Sequence, residues 1–221
     1  MLKFTLFLPF LLNSATNIDF TPARVQIVAD YNAYALATAR AGEEEARRLK
    51  ELAEKEAERL ANRTANMQDL RVLSNFTADE LNKVLEGTGL AGLGQAYIDA
   101  EATYNVNAAI LCAITIQESG WGTSDLTHTN SNISGTIFNG EYAVFDSLED
   151  CIMYTAKNLG INYLQETGEY FNGYSIEAVN KKYCFRVDDR TGALVVDDEW
   201  AKAVTHITQE ILNEVLYESK N

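Results

Sequence analysis

The feature that most constrains the fold is a segment, residues 108–116, in which almost every side chain is apolar (AAILCAITI). A helix that is apolar all round is buried on every side, so this segment predicts a helix at the centre of a domain. Two prolines and 13 glycines among 221 residues suit a mainly helical protein. The segment runs on into Glu118 and Ser119, and two glycines that flank Trp121 follow at once.

Glu118 is the candidate catalytic residue of this segment. A carboxyl group at the end of an apolar helix and beside an indole is partly removed from water, and burial raises its pKa. The general acid of a glycosidase needs this shift, because it must stay protonated near neutral pH although a free Glu has a pKa of about 4.3. A shift of about two units costs roughly 2.7 kcal/mol, which a core can sustain. From the residues alone, an exposed Glu followed by helix-capping glycines is an equally good interpretation.

Residues 74–221 predict one domain of short helices with a small β-hairpin. Thr77 and Glu80 form a capping-box pattern at a helix start. Further helices are predicted over residues 95–104, 108–118, 147–163, 175–182 and 199–217. Residues 136–145 alternate enough in hydrophobicity to predict a hairpin that turns at Asn139 and Gly140. The expected fold class is therefore mainly α with a small β-hairpin lobe.

The N-terminal part predicts two different segments. Residues 1–20 hold an apolar stretch after Lys3, which fits either a cleaved signal peptide or an uncleaved segment that packs on a partner chain. Residues 21–73 predict one long helix or two helices in line, since Thr21 and Pro22 suit a helix start and strong helix formers follow. We interpret this helix either as a solvated spacer or as an assembly element.

Charge and cysteine content argue against several classes of protein. The formal net charge is −14, and the whole excess lies in residues 76–221, which carry eight Lys or Arg against 22 Asp or Glu. That balance argues against a protein that binds nucleic acid.

Cys112 is expected as a buried thiol, and a disulfide between Cys151 and Cys184 is left open. The cysteine spacing matches no metal motif, so we expect neither a metal nor a cofactor.

Residues 109–124 (AILCAITIQESGWGTS) resemble the glucosaminidase family, which is glycoside hydrolase family seventy-three of the lysozyme-like peptidoglycan hydrolases. In that family an apolar helix leads into Glu-Ser, Gly-aromatic-Gly and Ser. Later segments match the order of its motifs: residues 130–135 (NSNISG), residues 142–150 (YAVFDSLED), Tyr183-Cys184 and Trp200-Ala201. Four landmarks in the same order are far more specific than Glu-Ser-Gly alone.

The resemblance implies a lysozyme-like α+β catalytic domain over residues 74–221 and hydrolysis of the β-1,4 bond after N-acetylglucosamine in peptidoglycan. It implies that Glu118 is the general acid. A second carboxylate is expected in the β-lobe, where Glu141 is our choice and Asp125 and Asp146 are rivals. Tyr183 matches the late tyrosine of the family and is expected to line the catalytic site.

The resemblance also implies a set of substrate contacts. The expected substrate-binding residues are Trp121, Ser124, Asn132, Gly135 and Tyr142. Trp200 lies on an amphipathic helix and is interpreted as a core residue. The chain lacks the lysine that the family often has after Gly135 and the proline expected after Cys184, so its subsites are expected to differ.

Three alternatives to a glucosaminidase stay open. A muramidase or a lytic transglycosylase shares the fold and the acid but cuts the other bond or forms an anhydro product. A virion structural protein could keep the fold without the activity. The expected partner is bacterial peptidoglycan, and residues 1–73 are expected to contact virion or tail proteins or a second copy of the chain. The expected location is a phage tail, or the outside of a cell as a secreted or surface hydrolase.

Overall fold

The computed structural model describes residues 21–218 of the chain, and the apolar segment predicted at residues 1–20 lies outside the described residues. The chain divides into two compact units, with the boundary between residues 55 and 56. No helix among the described residues is long and apolar enough to cross a membrane.

Helix α1 (Thr21–Ala61) accounts for the described part of the first unit. The predicted long helix is thus present, but it ends at Ala61 and not near residue 73. Beyond Ala61 the backbone finds tertiary partners: the Thr64 amide donates to the Ser74 carbonyl at 2.9 Å and the Leu70 amide donates to the Tyr174 carbonyl at 3.0 Å. Leu70 is also fully buried. Residues 62–73 are thus a packed part of the second unit and do not extend the helix.

The second unit is mainly helical. Its helices are α2 (Ala78–Val84), α3 (Gly94–Tyr104), α4 (Ala108–Ser119), α5 (Asp125–Asn130), α6 (Leu148–Asn158), α7 (Ile176–Tyr183) and α8 (Asp198–Glu218), with a π-helical turn at Leu159–Tyr163. The predicted capping box is present, because the Thr77 side chain accepts from the Glu80 amide and the Glu80 side chain accepts from the Thr77 amide. The predicted helices therefore form close to their expected positions.

Helix α4 is the centre of the second unit. Residues 108–116 are all buried, which confirms the central helix predicted from the apolar run. Asn107 caps the helix, since its side-chain oxygen accepts from the amides of Ala109 and Ile110 at 3.1 Å each. Helices α3, α6 and α8 pack around α4. The C-terminal end of α4 is the end that carries Glu118.

Two antiparallel hairpins complete the unit. Strand β1 (Ile137–Phe138) pairs with β2 (Glu141–Tyr142), which confirms the predicted hairpin. Its turn residues, Asn139 and Gly140, both have positive φ, as a type I′ turn requires. The second hairpin, β3 (Phe185–Val187) with β4 (Leu194–Val196), has no counterpart in the sequence prediction. The mainly α architecture with a small β-hairpin lobe is confirmed.

All three cysteines are free thiols, so the disulfide left open between Cys151 and Cys184 is not formed. Cys112 is buried in α4, as predicted. Cys151 is buried on α6, where its sulfur accepts a hydrogen bond from the Ile133 amide at 3.4 Å. Cys184 follows α7 and is half-buried.

Candidate active site

The end of α4 is fixed by a network of local hydrogen bonds. The Ser119 hydroxyl donates to the Thr115 carbonyl at 2.6 Å and accepts from the Gly122 amide at 2.9 Å. Gly120 adopts the left-handed conformation that ends many helices, and the Trp121 amide returns to the Ile116 carbonyl at 3.1 Å. These bonds hold the last turn rigidly, and Glu118 is the penultimate residue of that turn.

Gly122 allows two backbone segments to approach closely. A Cβ added at Gly122 would lie 2.7 Å from the carbonyl carbon of Gly89. The Gly89 amide also donates to the Trp121 carbonyl at 3.0 Å. The two backbones therefore pass in direct contact, which a side chain at either glycine would prevent.

Glu118 is half-buried, and its Oε1 accepts a hydrogen bond from Nε1 of Trp200 at 2.7 Å. Burial raises the pKa of the Glu118 carboxyl, and the hydrogen bond from Trp200 opposes part of that rise. The carboxyl also sits at the C-terminal end of α4, where the helix dipole disfavours negative charge. The net effect is a carboxyl group with a raised pKa, which is the property that a general acid needs.

The indole that contacts Glu118 belongs to Trp200 and not to Trp121. The half-buried Trp121 lines a separate depression of about 270 Å³ together with Val84 of α2 and Ile211 of α8. Ile211 lies roughly 16 Å further along α8 than Trp200, at 1.5 Å per residue. The structure therefore does not bring the Trp121 ring to the Glu118 carboxyl. The predicted burial of Glu118 is present, but the indole that contacts its carboxyl group is that of Trp200.

An open depression of about 570 Å³ lies beside Glu118. We call it the acid depression, and it is lined by Gln117, Glu118, Cys184, Asp197, Glu199, Trp200, Lys202 and Ala203. Its volume and its polar lining suit a hydrophilic ligand such as one or two sugar rings. The candidate acid is therefore reachable from solvent although it is partly buried.

Gly135 approaches Glu118 from the loop that precedes β1. A Cβ added at Gly135 would lie 3.8 Å from Oε2 of Glu118, and Gly135 has a φ of +62°. The neighbouring Asn132 is buried and holds this loop, since its Nδ2 donates to the carbonyls of Thr136 at 2.9 Å and Ala143 at 3.1 Å. The Asn132 Oδ1 accepts from the Thr136 amide at 3.1 Å. Asn132 thus shapes the site, and Gly135 borders it.

Trp200 connects Tyr183 to the Glu118 carboxyl group. Its ring packs on the Trp200 indole with centroids 4.8 Å apart, and on Tyr163 with centroids 5.6 Å apart. Burial raises the pKa of Tyr183 well above its usual value, and the charge of Glu118 adds to the rise. The structure therefore brings Glu118, Gly135, Tyr183 and Trp200 together.

Other predicted site residues lie further out. Ser124 caps α5, where its hydroxyl accepts from the Thr127 amide at 3.3 Å. Glu141 and Tyr142 are exposed on β2, and this hairpin is joined to the Gly135 loop by the Ala143 amide, which donates to the Thr136 carbonyl at 2.9 Å. The rival carboxylates, Asp125 and Asp146, are also exposed. These assignments remain predictions.

Sequence reasoning missed the role of Trp200 and the position of Cys184. Trp200 is 5% exposed and packs in the core, as expected, but its indole N–H also reaches Glu118. The only signal in the sequence is the Trp-Ala pair late in the chain, which matches a family motif. Cys184 lines the acid depression although nothing in its spacing indicates this.

The model of the glucosaminidase family, described as mannosyl-glycoprotein endo-beta-N-acetylglucosaminidase, matches residues 94–213, more than half of the chain. The chain belongs to the glucosaminidase family. The matched range contains Glu118, Gly135, Tyr183 and Trp200, the residues that the structure brings together. The predicted family is thereby confirmed.

Two related proteins, from two strains of Streptococcus pneumoniae, are each named putative endo-beta-N-acetylglucosaminidase. Each is 29% identical to this chain over 126 residues, which cover 52% of the chain and 19% or 18% of the relative. The chain thus aligns with about a fifth of the length of these curated relatives.

Solved structures of autolysin E from Staphylococcus aureus also align. A complex with the disaccharide NAG-NAM gives a TM-score of 0.45 at 19% identity, covering 67% of this chain and 72% of that one. A complex with the muropeptide NAM-L-Ala-D-iGlu gives 0.48 at 18% identity, covering 72% and 78%.

Proposed function

We propose that this protein is an endo-β-N-acetylglucosaminidase that hydrolyses the β-1,4 bond after N-acetylglucosamine in bacterial peptidoglycan. The observation that carries the proposal is the environment of Glu118. Its carboxyl is half-buried, has a raised pKa, and borders an open depression inside the region that the family model matches. The names of the pneumococcal relatives support the same reaction.

Glu118 acts as the general acid in this proposal. Protonated Glu118 donates its proton to the oxygen of the leaving sugar, while positive charge develops on the ring whose bond is broken. The raised pKa keeps a fraction of the protein in the protonated form at a pH where an ordinary Glu is ionised. Glu101 is also a buried carboxylate, but its role is structural. It accepts hydrogen bonds from the amides of Ser74 at 2.7 Å and Ala108 at 2.8 Å.

A second carboxylate is needed to activate water or to stabilise the positive charge. We assign this role to Glu141 on β2. The assignment is supported by the backbone hydrogen bond from Ala143 to Thr136, which joins this hairpin to the loop that borders Glu118. Asp125 and Asp146 are the alternatives.

The other predicted residues divide by their distance from the acid. Gly135 and Tyr183 border Glu118, and we assign them to the subsites on either side of the broken bond. Tyr142 is exposed and Trp121 is half-buried, and both suit sugars further along the glycan chain. Ser124 and Asn132 act indirectly, because their side chains hold α5 and the Gly135 loop.

The test uses purified cell walls and three proteins: the wild type, Glu118→Gln and Glu86→Gln. Glutamine keeps the shape and accepts the Trp200 hydrogen bond but carries no acidic proton, so we expect wall clearing to fall by about 10²- to 10⁴-fold. Glu86 is exposed after α2, and its variant controls for the change of charge. New reducing ends must be N-acetylglucosamine. Muramic acid ends, or anhydro ends, would identify a muramidase or a transglycosylase, and equal clearing by Glu118→Gln would remove Glu118 as the acid.

The biological setting is a further part of the proposal. We place the protein outside the host cytoplasm, either in a phage tail or as a secreted or surface hydrolase. The exposed apolar side chains of α1, among them Ile27, Tyr31 and Tyr34, are suited to contact tail proteins or a second copy of the chain. Immunogold labelling of purified virions and fractionation of the host culture distinguish the two settings.

A further inference from the structure

The indole of Trp200 binds one of the two oxygens of the Glu118 carboxyl group. Its Nε1 lies 2.7 Å from Oε1 of Glu118. An indole N–H is a donor and cannot accept, so Oε1 must offer it a lone pair whether or not the carboxyl group is ionised. The carbonyl oxygen of a protonated carboxyl group is a better acceptor than its hydroxyl oxygen, so this bond favours the form of protonated Glu118 that carries the proton on Oε2.

Oε2 is the oxygen that faces Gly135. A methyl group built at Gly135 would lie 3.8 Å from Oε2, in ordinary van der Waals contact. Because glycine has no side chain, no side chain at position 135 covers Oε2. The oxygen that carries the proton in the favoured form thus lies beside Gly135, and the other oxygen is held by Trp200.

Trp200 is itself held firmly. Its side chain is 5% exposed and packs on Tyr183 with ring centroids 4.8 Å apart. Its backbone amide donates to the Asp197 carbonyl at 3.2 Å, and the Asn180 side chain donates to the same carbonyl at 3.0 Å. The junction between α7 and α8 therefore fixes the indole, and rotation of the ring away from Glu118 would disturb this packing.

We infer that Trp200 is a positioning residue: its indole N–H orients the Glu118 carboxyl so that the acidic proton sits on Oε2, directed at the space over Gly135. The role of Glu118 as an acid rests on the proposed function, whereas the orientation of its carboxyl group rests on the hydrogen bond alone. Random placement of the proton on two oxygens would cost only about twofold in rate. Loss of orientation costs more, because a small misplacement of a reacting group lowers a rate by one or two orders of magnitude.

Removal of the indole N–H also has a defined effect on titration. The bond lowers the pKa of Glu118 while burial raises it, so loss of the bond leaves burial unopposed and raises that pKa further. Other titratable groups face Glu118 as well: Tyr183 and Cys184 at the end of α7, and Asp197, Glu199 and Lys202 at the start of α8. Lys202 is paired with Glu199 at 2.6 Å. All of these groups are unchanged in the variants below.

Two variants of Trp200 separate the N–H from the packing. Trp200→Phe removes both the N–H and part of the ring. Trp200→3-benzothienylalanine, introduced at position 200 alone, keeps the bicyclic shape but replaces the N–H by sulfur. Tyr97→Phe is the control, because it removes a buried hydrogen bond to Thr115 in the same core without touching Glu118. The readouts are kcat and KM on soluble glycan fragments across pH, and the NMR titration of the ¹³C-labelled Glu118 carboxyl, assigned by its loss in Glu118→Gln.

We expect both Trp200 variants to lower kcat about tenfold with little change in KM. We also expect the alkaline limb of the pH profile and the Glu118 titration to move to higher pH, with neither moving in Tyr97→Phe. A benzothienyl variant with the wild-type pH limb, kcat and Glu118 titration would overturn the inference. If the wild type itself cleaves no glycan, the proposed function fails. The NMR titration then still decides whether Trp200 controls the carboxyl.

Discussion

Gly135 presents its α-carbon, and no side chain, to Oε2 of Glu118: a methyl group built there would lie 3.8 Å from that oxygen. The two residues come from different elements, the last turn of α4 and the loop before β1. If Glu118 is the acid, we expect the leaving sugar oxygen to bind at Oε2, next to Gly135.

Gly135→Ala is expected to lower both stability and activity. A left-handed alanine costs roughly 1–2 kcal/mol, and the added methyl group would occupy the space in front of Oε2, so we expect at least a tenfold loss of wall-clearing rate. Gly92→Ala is the matched control, because Gly92 has a φ of +85° with nothing within 4 Å. Thermal unfolding and clearing assays should show similar destabilisation in both variants and a loss of activity per folded molecule in Gly135→Ala alone.

Glu118→Gln is expected to stabilise the protein increasingly as the pH rises. Burial raises the folded-state pKa of Glu118 above the ordinary value of a Glu side chain, so the folded state keeps its proton to a higher pH than the unfolded state does. The stability from this group is full below the unfolded pKa and is lost as the pH rises through the folded pKa. Glutamine has no such loss. Unfolding temperatures from pH 3.5 to 8 should therefore show a growing advantage for Glu118→Gln, and a constant difference would contradict the raised pKa.

Alkylation of Cys184 is expected to inhibit the enzyme. This half-buried thiol lines the acid depression, and burial together with the charge of Glu118 raises its pKa, so labelling by iodoacetamide should speed up with pH. Cys112 and Cys151 are buried and should react only on unfolding. Mass spectrometry should find one labelled thiol and loss of most of the clearing activity. Cys184→Ala should resist the reagent, and full activity of the labelled wild type would show that the depression is not used.

Asn132→Ala is expected to destabilise the fold by about 1–3 kcal/mol, because it leaves buried backbone groups of the Gly135 loop without partners. Asn130→Ala should cost less, since Asn130 makes a longer bond of 3.4 Å to the Ala143 carbonyl. Chemical denaturation measures both. A variant that keeps its stability but binds glycan weakly would assign Asn132 to direct substrate contact.

Glu141→Gln is expected to lower kcat at least tenfold, because the proposal gives Glu141 the second catalytic carboxylate. Asp125→Asn and Asp146→Asn are matched comparisons on α5 and before α6, and each should change the rate less than threefold. All three carboxylates are exposed, so their variants should fold like the wild type. The variant with the largest loss of kcat identifies the second carboxylate.

The sequence by itself determined the features that arise from near neighbours along the chain. The apolar run at residues 108–116 predicted the buried helix, the Thr77 and Glu80 pair predicted a cap, and Asn139 with Gly140 predicted the first hairpin. Helix periodicity, capping and turn chemistry are set within a few residues, so they can be read from local patterns. The position of Glu118 at the end of the apolar helix could likewise be predicted from the local sequence.

The groups that meet Glu118 depend on how the helices pack. Trp200 lies 82 residues away in sequence, and its N–H reaches the carboxyl because α8 packs against α4. The nearer indole of Trp121 turns to another depression. Likewise the end of α1 at Ala61 depends on backbone hydrogen bonds to residues far along the chain. Contacts of this kind depend on how whole helices pack, and no local pattern of residue types encodes their geometry.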